Sequence, residues 1–365
     1  LIIINTLVLV LLISLLSIFL ENLYYSSMMP SYESSTSYRQ ENYSHMEKRD
    51  VDDLLRSTWT PGYEYEEVVG FREKQRTTKF VNVNELGFRS LKPAKDFYSS
   101  LDGAVWFFGG STTFGYGVSD NETIPAYLEK LSKQPVVNLG RGYYYSEQEN
   151  LLLLNLLKYG HRPSKVIFFD GLNERCDISI YQKEMELLFR DQQTQSYKSY
   201  LISLVKPSLR FIQKIVGKIT ETQLTERQRQ ASEENLNKLF CDGNGSQPIP
   251  LKSVLSSNLL NRKAICEEYN LDCATLVQPV AGTHGIHLGA PSNQDISKDV
   301  LNKFNHLEGT FDQYGAVSVT AALDNFPSHA FVDFFHHSAA ANLEIAEYIS
   351  EKLRLNQIDA LNVSK

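Results

Sequence analysis

The chain has 365 residues, 42% of them hydrophobic and 22% charged, with a formal net charge of −7. That is enough apolar material to bury a full globular core. The acidic balance argues against nucleic acid as the main partner, because a phosphate backbone calls for a basic face.

Residues 1–20, LIIINTLVLVLLISLLSIFL, carry no charge before Glu21 and are long enough to cross a bilayer as a helix. No small-x-small cleavage site follows, so the segment reads as an uncleaved transmembrane signal anchor. It would hold the rest of the protein on the extracytoplasmic side, in the periplasm or at the cell surface. Residues 21–53 are rich in Ser, Tyr and Glu, lack an apolar period and read as a stalk or linker. Residues 54–100 read as a small lead-in segment packed on the main domain. Its stretches TPGYEYEEVVGF and VNVNELGFRS combine aromatics with turn signals, which predicts β-type structure over 59–89.

The main domain, 101–355, alternates strands and helices. AVWFFGG is a short apolar run with an aromatic bias, hence a buried strand. TIPAYLEKLS has helical spacing and a proline near its start, where proline is tolerated. PVVNLG is a second strand. SEQENLLLLNLLKYG is a helix with Ser146 as its cap and Gly160 at its end. SKVIFFDG is a third strand. The helix LLNRKAICEEYN leads to a fourth strand, DCATLVQPV, and SAAANLEIAEYISEKLRLN closes the domain as an amphipathic helix. The polar stretch 178–257 breaks the rhythm and reads as a helical insertion; 356–365 is a C-terminal tail. Continuously apolar strands alternating with helices predict an α/β fold, a central parallel sheet covered on both faces.

Four cysteines, Cys176, Cys241, Cys266 and Cys273, show no CxxC or Cys/His ligand spacing, which argues against zinc. Export permits disulfides, and the near neighbours Cys266 and Cys273 are the preferred pair.

Ligands of an open parallel sheet bind beyond the carboxyl ends of its strands. Ser111 follows the first strand. Gly140 and Gly142 follow the second, in NLGRGYYYS. Asp170, Gly171, Asn173 and Glu174 follow the third, in FFDGLNE. Asp333 and His336 precede the last helix, in FVDFFHHS. A hydroxyl, backbone donors, an amide, an imidazole and a carboxylate are the parts that acyl transfer requires. A phosphate loop would need a lysine in its turn, and GGSTTFGYG has none. His284 and His287, in GTHGIHLG, have no carboxylate nearby and read as a loop rather than a metal site. The chemistry calls for no metal and no organic cofactor.

These blocks resemble the SGNH group of GDSL-type esterases and lipases, in a membrane-anchored bacterial form. The likeness spans 103–175 and 324–352 and rests on FFGGSTTFG, VVNLGRG, FFDGLNE and VDFFHHS, in that order. It implies a three-layer, flavodoxin-like α/β/α sandwich. It implies Ser111 as nucleophile, His336 as its base and Asp333 as the group that orients the imidazole. The oxyanion hole would combine the Ser111 N–H, the Gly142 N–H (with Gly140 as second choice) and the Asn173 side chain. Gly110 stands where the family name-motif has Asp, and Ala341 where a glycine commonly follows the histidine. His337 is an alternative base with the wrong spacing from Asp333. The implied activity is hydrolysis or transfer of an acyl group, most simply O-acetyl, on an envelope or surface polysaccharide. A lipase or thioesterase acting on lipid esters would use the same residues. A non-catalytic partner in polysaccharide assembly would tolerate loss of a triad member, and this chain keeps all three.

Overall fold

The computed structural model describes residues 39–59, 62–171, 173–174, 251–281, 298–324, 326, 329–333 and 335–355, all within one compact unit. The expected anchor 1–20, the insertion up to residue 250, His284, His287, Cys176, Cys241 and the tail 356–365 lie outside the described residues. Among the described residues, no helix is long and apolar enough to cross a membrane.

The chain enters through α1 (Arg39–Asn42) and α2 (Lys48–Trp59). This corrects the stalk expectation over 39–53. Val51, Leu54, Leu55 and Thr58 fall at helical spacing and form one buried stripe of α2. Acidic and basic neighbours on the other faces hide that stripe in a composition count. The entry segment is tied down on both sides of the future site: the Asn42 amide donates to Phe331 O at 2.9 Å, and the Tyr43 hydroxyl to Gly117 O at 2.6 Å. Next come the antiparallel pair β1 (Tyr63–Glu66) and β2 (Gly70–Glu73), then β3 (Arg76–Thr77) with β4 (Asn82–Val83), and α3 (Ala94–Ser99).

The main sheet follows. β5 (Val105–Gly109) is buried at every position and leads into α4 (Ser111–Phe114) and α5 (Ile124–Ser132). β6 (Val136–Asn138), α6 (Ser146–Lys158) and β7 (Lys165–Asp170) come next. After the insertion stand α7 (Leu251–Glu268), β8 (Cys273–Val277), α8 (Lys298–Gln313), β9 (Val317–Ser318) and α9 (Ala339–Lys352). α7 starts ahead of the boundary expected at 257.

The five strands are parallel in the order β6-β5-β7-β8-β9. That is the doubly wound order 2-1-3-4-5, whose switch point lies beside the first strand. Period-two alternation sends Val105, Phe107, Ile167, Phe169 and Leu276 to one face, against Ile124 and Leu128 of α5 and Ile345 and Ile349 of α9. On the other face Val277 joins Leu255 and Leu259 of α7 and Phe304, Leu307 and Phe311 of α8. Each such side chain, fully buried, contributes about 1.5–3 kcal/mol. Helices on both faces make the three-layer sandwich.

One local expectation changes, and the sheet has a fifth strand beyond the four expected. The N-cap of α6 is Tyr145, with no side-chain cap bond, and the Ser146 hydroxyl is used elsewhere. β9 is only two residues long, too short for a periodic signal. Cys266 and Cys273 are disulfide-bonded, with Cα atoms 6.3 Å apart, and join the end of α7 to the start of β8.

Candidate active site

Ser111 stands where β5 ends, and the two glycines before it are required by close approach. A Cβ on Gly109 would lie 2.1 Å from Thr113 Oγ1 and 2.9 Å from Phe169 O. A Cβ on Gly110 would lie 2.3 Å from Asn173 Nδ2 and 3.2 Å from Tyr144 O. The strand therefore turns sharply with the β7 loop pressed against it, and Ser111 opens the short helix α4. As the first helical residue, Ser111 has no carbonyl within α4 for its own N–H. The far end of this turn is held by Arg89 of the lead-in. Its guanidinium donates to the carbonyls of Phe114, Gly115 and Val118 and pairs with Asp120. A cation at a helix C-terminus satisfies carbonyls that the helix itself cannot.

Asp333 and His336 occupy a tight turn before α9. Val332 N–H donates to His336 O at 2.7 Å, Ser338 N–H donates to Ala330 O at 2.8 Å, and the Ser338 side chain caps α9. Inside the turn, Asp333 Oδ1 accepts from the N–H groups of Phe335 (2.8 Å) and His336 (2.7 Å). Asp333 Oδ2 lies 2.6 Å from His336 Nδ1, and His336 Nε2 lies 2.8 Å from Ser111 Oγ. Burial pushes the Asp333 carboxyl up, but His336 and the two N–H groups outweigh it and hold it down at about 2. An ionised Asp333 fixes the proton on Nδ1 and leaves Nε2 to accept from the serine hydroxyl. The three expected residues are thus assembled in one hydrogen-bonded line.

His337 is not part of that line. Its Nε2 pairs with Pro279 O at 3.1 Å, and burial lowers it to about 4. It is a neutral core histidine that faces Phe169 and Phe331.

Asn173, the expected side-chain oxyanion donor, lies against the turn that precedes Ser111. Its Nδ2 lies over Gly110 and donates one hydrogen to Tyr144 O at 2.9 Å. The glycine donor is a different matter. Gly142 N–H donates to Glu73 Oε1 at 3.1 Å, and Gly140 N–H to Asn138 Oδ1 at 3.0 Å. Both N–H groups are already committed to side-chain acceptors, so neither is left for the expected oxyanion role. Tyr143, next in this tract, takes a left-handed φ of +63°. Arg141 anchors it from below, fully buried, donating to Glu66, Phe71 O, Tyr144 and Leu86 O.

Behind Asn173 lies a buried polar cluster. Glu174 accepts from both the N–H (3.0 Å) and the hydroxyl (2.7 Å) of Ser146. Ser146 Oγ accepts from Asn258, and Arg262 reaches Asn150, Asp170 and Glu149. Three buried carboxylates share one arginine, so charge is in excess. Burial, then the nearby Asp170, raises Glu174 to about 7.

Sequence patterns missed the packing around His336. Tyr116 stacks on the imidazole with centroids 5.3 Å apart and planes 18° apart, and Trp59 meets it edge-on at 5.6 Å. Tyr116, in FGYG just after the serine block, was within reach of a sequence argument. Trp59 comes from the end of α2 and carried no local signal.

No protein-family profile matches the chain, and no curated protein does. Several solved structures are similar to it. A protein described as lipolytic, of the G-D-S-L family, from Desulfitobacterium hafniense has a TM-score of 0.37 at 13% identity, over 68% of this chain and 99% of that one. Est24, a carbohydrate acetylesterase from Sinorhizobium meliloti, has a TM-score of 0.34 at 12% identity, over 69% and 99%. A carbohydrate esterase family 2 enzyme from Corynascus thermopiles has a TM-score of 0.38 at 10% identity, over 70% and 66%. Overlap this shallow transfers neither substrate nor activity, and the chemistry assigned to this chain rests on the Ser111–His336–Asp333 line itself.

Proposed function

We propose that the protein is a serine esterase of the SGNH type. The observation that carries this is the continuous contact from Asp333 Oδ2 through both nitrogens of His336 to Ser111 Oγ. Ser111 Oγ attacks the ester carbonyl carbon while His336 Nε2 takes its proton. The tetrahedral oxyanion is met by the Ser111 N–H and the Asn173 amide. His336 returns the proton to the leaving alkoxide, which departs as an alcohol and leaves an acyl-Ser111 ester. Water, or an acceptor hydroxyl, then gives its proton to His336 and attacks the acyl carbon, and His336 returns that proton to Ser111 Oγ as the acyl group leaves it.

The substrate we favour is an O-acetyl group on an envelope or surface polysaccharide, reached by an enzyme anchored through residues 1–20. The apolar run of that segment and the Cys266–Cys273 disulfide support an exported setting. Two measurements test this. Turnover of p-nitrophenyl esters should fall steeply as the acyl chain grows beyond acetyl; a preference for long chains would replace the acetyl reading with a lipid one. The full chain should fractionate with membranes, with its catalytic domain open to protease from outside; recovery as a soluble cytoplasmic protein would overturn the anchored reading.

A further inference from the structure

We infer that Glu73 of the lead-in hairpin is a positioning residue for the catalytic imidazole, acting through Tyr116 and through the Gly142 turn. This rests on the serine-esterase reading above. Glu73 ends β2 and is 1% exposed, yet it belongs to neither the triad nor the oxyanion hole. Its Oε1 accepts from the Tyr116 hydroxyl at 2.9 Å and from Gly142 N–H at 3.1 Å. Its Oε2 pairs with Arg76 at 3.3 Å. Because Tyr116 spends its proton on Glu73, the contact between Tyr63 and Tyr116 hydroxyls, 2.7 Å, must be donated by Tyr63.

One carboxylate therefore fixes two things. It locks the Tyr116 ring, whose face lies against the His336 imidazole, so it sets the plane of the ring that must point Nε2 at Ser111. It also fixes the Gly142 turn, where a Cβ would strike Tyr63 Oη at 2.4 Å, Tyr116 Oη at 2.6 Å and Glu73 Oε1 at 3.0 Å. A buried carboxylate is costly unless every lone pair is used. Here burial raises its pKa, while Arg76, the Tyr116 hydroxyl and Gly142 N–H oppose that rise. A group held at such cost, one ring away from the catalytic base, fits a role in geometry. Misplacing a catalytic group by about 1 Å costs roughly 10²-fold in rate.

The test uses the full chain and p-nitrophenyl acetate, with Ser111→Ala as control. Glu73→Ala should lower kcat by roughly 30- to 100-fold while KM stays within about two-fold. The rate of Ser111 phosphonylation by a fluorophosphonate probe should fall in parallel, because that reaction also needs His336 aligned. Glu73→Gln keeps an Oε1 acceptor and should recover most of the loss. Tyr116→Phe keeps the ring and removes only the hydroxyl; it should lower kcat and the probe rate by roughly three- to ten-fold at unchanged KM. If Glu73→Ala does not fold, Tyr116→Phe decides the matter. Wild-type kcat and probe rates in Tyr116→Phe, or in a folded Glu73→Ala, would overturn the inference. An active Ser111→Ala would instead overturn the esterase reading on which it stands.

Discussion

His336 is held from two sides by unlike means. Toward the sheet it is held by directed contacts, a charge-assisted one to Asp333 at 2.6 Å and a neutral one to Ser111 at 2.8 Å. Toward the lead-in it is held by flat surfaces, the face of Tyr116 and the edge of Trp59, with Glu73 behind. The first side fixes where the proton sits. The second fixes the ring plane. Hydrogen bonds alone leave an imidazole free to tilt about its donor–acceptor axis, so both sides are needed for a base that delivers its lone pair to one oxygen.

The sheet side should break hardest. Ser111→Ala and His336→Ala are expected to lose on the order of 10⁴- to 10⁶-fold in kcat on p-nitrophenyl acetate, since each removes either the nucleophile or the base hydrogen-bonded to it. Combining them should cost little more than either alone. Near-additive losses would mean that the two residues do not act as one unit.

Asn173 comes next. Asn173→Ala should lower kcat by roughly 10²–10³-fold with little change in KM, because its bond strengthens as negative charge develops. The glycine turn provides a second route to the same loss. In Gly110→Ala the added carbon would lie 2.3 Å from Asn173 Nδ2, so the amide must move although it is still present. Steady-state kinetics should show the same kcat-dominated loss. A Gly110→Ala enzyme with normal turnover would mean that Asn173 is not where the oxyanion forms.

The two sides also differed in how far the sequence showed them. Ser111, Asn173, Asp333 and His336 each sit in a short block at a strand or helix end, where glycine, Asp-x-x-His spacing and apolar runs are local signals. The sheet and its helices were legible for the same reason. The lead-in was not: α2 carries its apolar stripe among charged residues, and Trp59, Glu73 and Tyr63 meet the site only through tertiary contact. The Gly142 assignment failed on the same ground. Its N–H belongs to a carboxylate 69 positions away in sequence, and no local pattern can say so.

The cluster behind Asn173 sharpens the comparison through stability. Glu174 is raised from its ordinary 4.5 to about 7, so between these values the folded state binds more protons than the unfolded one. Its contribution is fully present below pH 4.5 and is lost as pH rises through 7. Glu174→Gln keeps the shape and removes the titration. Relative to wild type, its melting temperature should therefore gain steadily from about pH 4.5 to pH 7. A difference that is flat across that window would show that Glu174 carries no excess proton.

The smallest effect on turnover is expected at His337, next in chain to the catalytic base. Its Nε2–H donates to Pro279 O, its ring is buried against Phe331, and burial lowers it from 6.5 to about 4. It stays neutral throughout the range in which His336 must work. His337→Gln should keep kcat within about three-fold, and its cost should appear in stability, on the order of 1 kcal/mol for one lost hydrogen bond. The sign of its pH dependence is opposite to that of Glu174. Between pH 4 and 6.5 the unfolded state binds the proton that the folded histidine refuses, so its contribution is present above 6.5 and is lost as pH falls through 4. Melting curves should show wild type losing more than His337→Gln on acidification across that window. A large fall in kcat with unchanged melting would instead make His337 the base and require the Ser111 line to be redrawn.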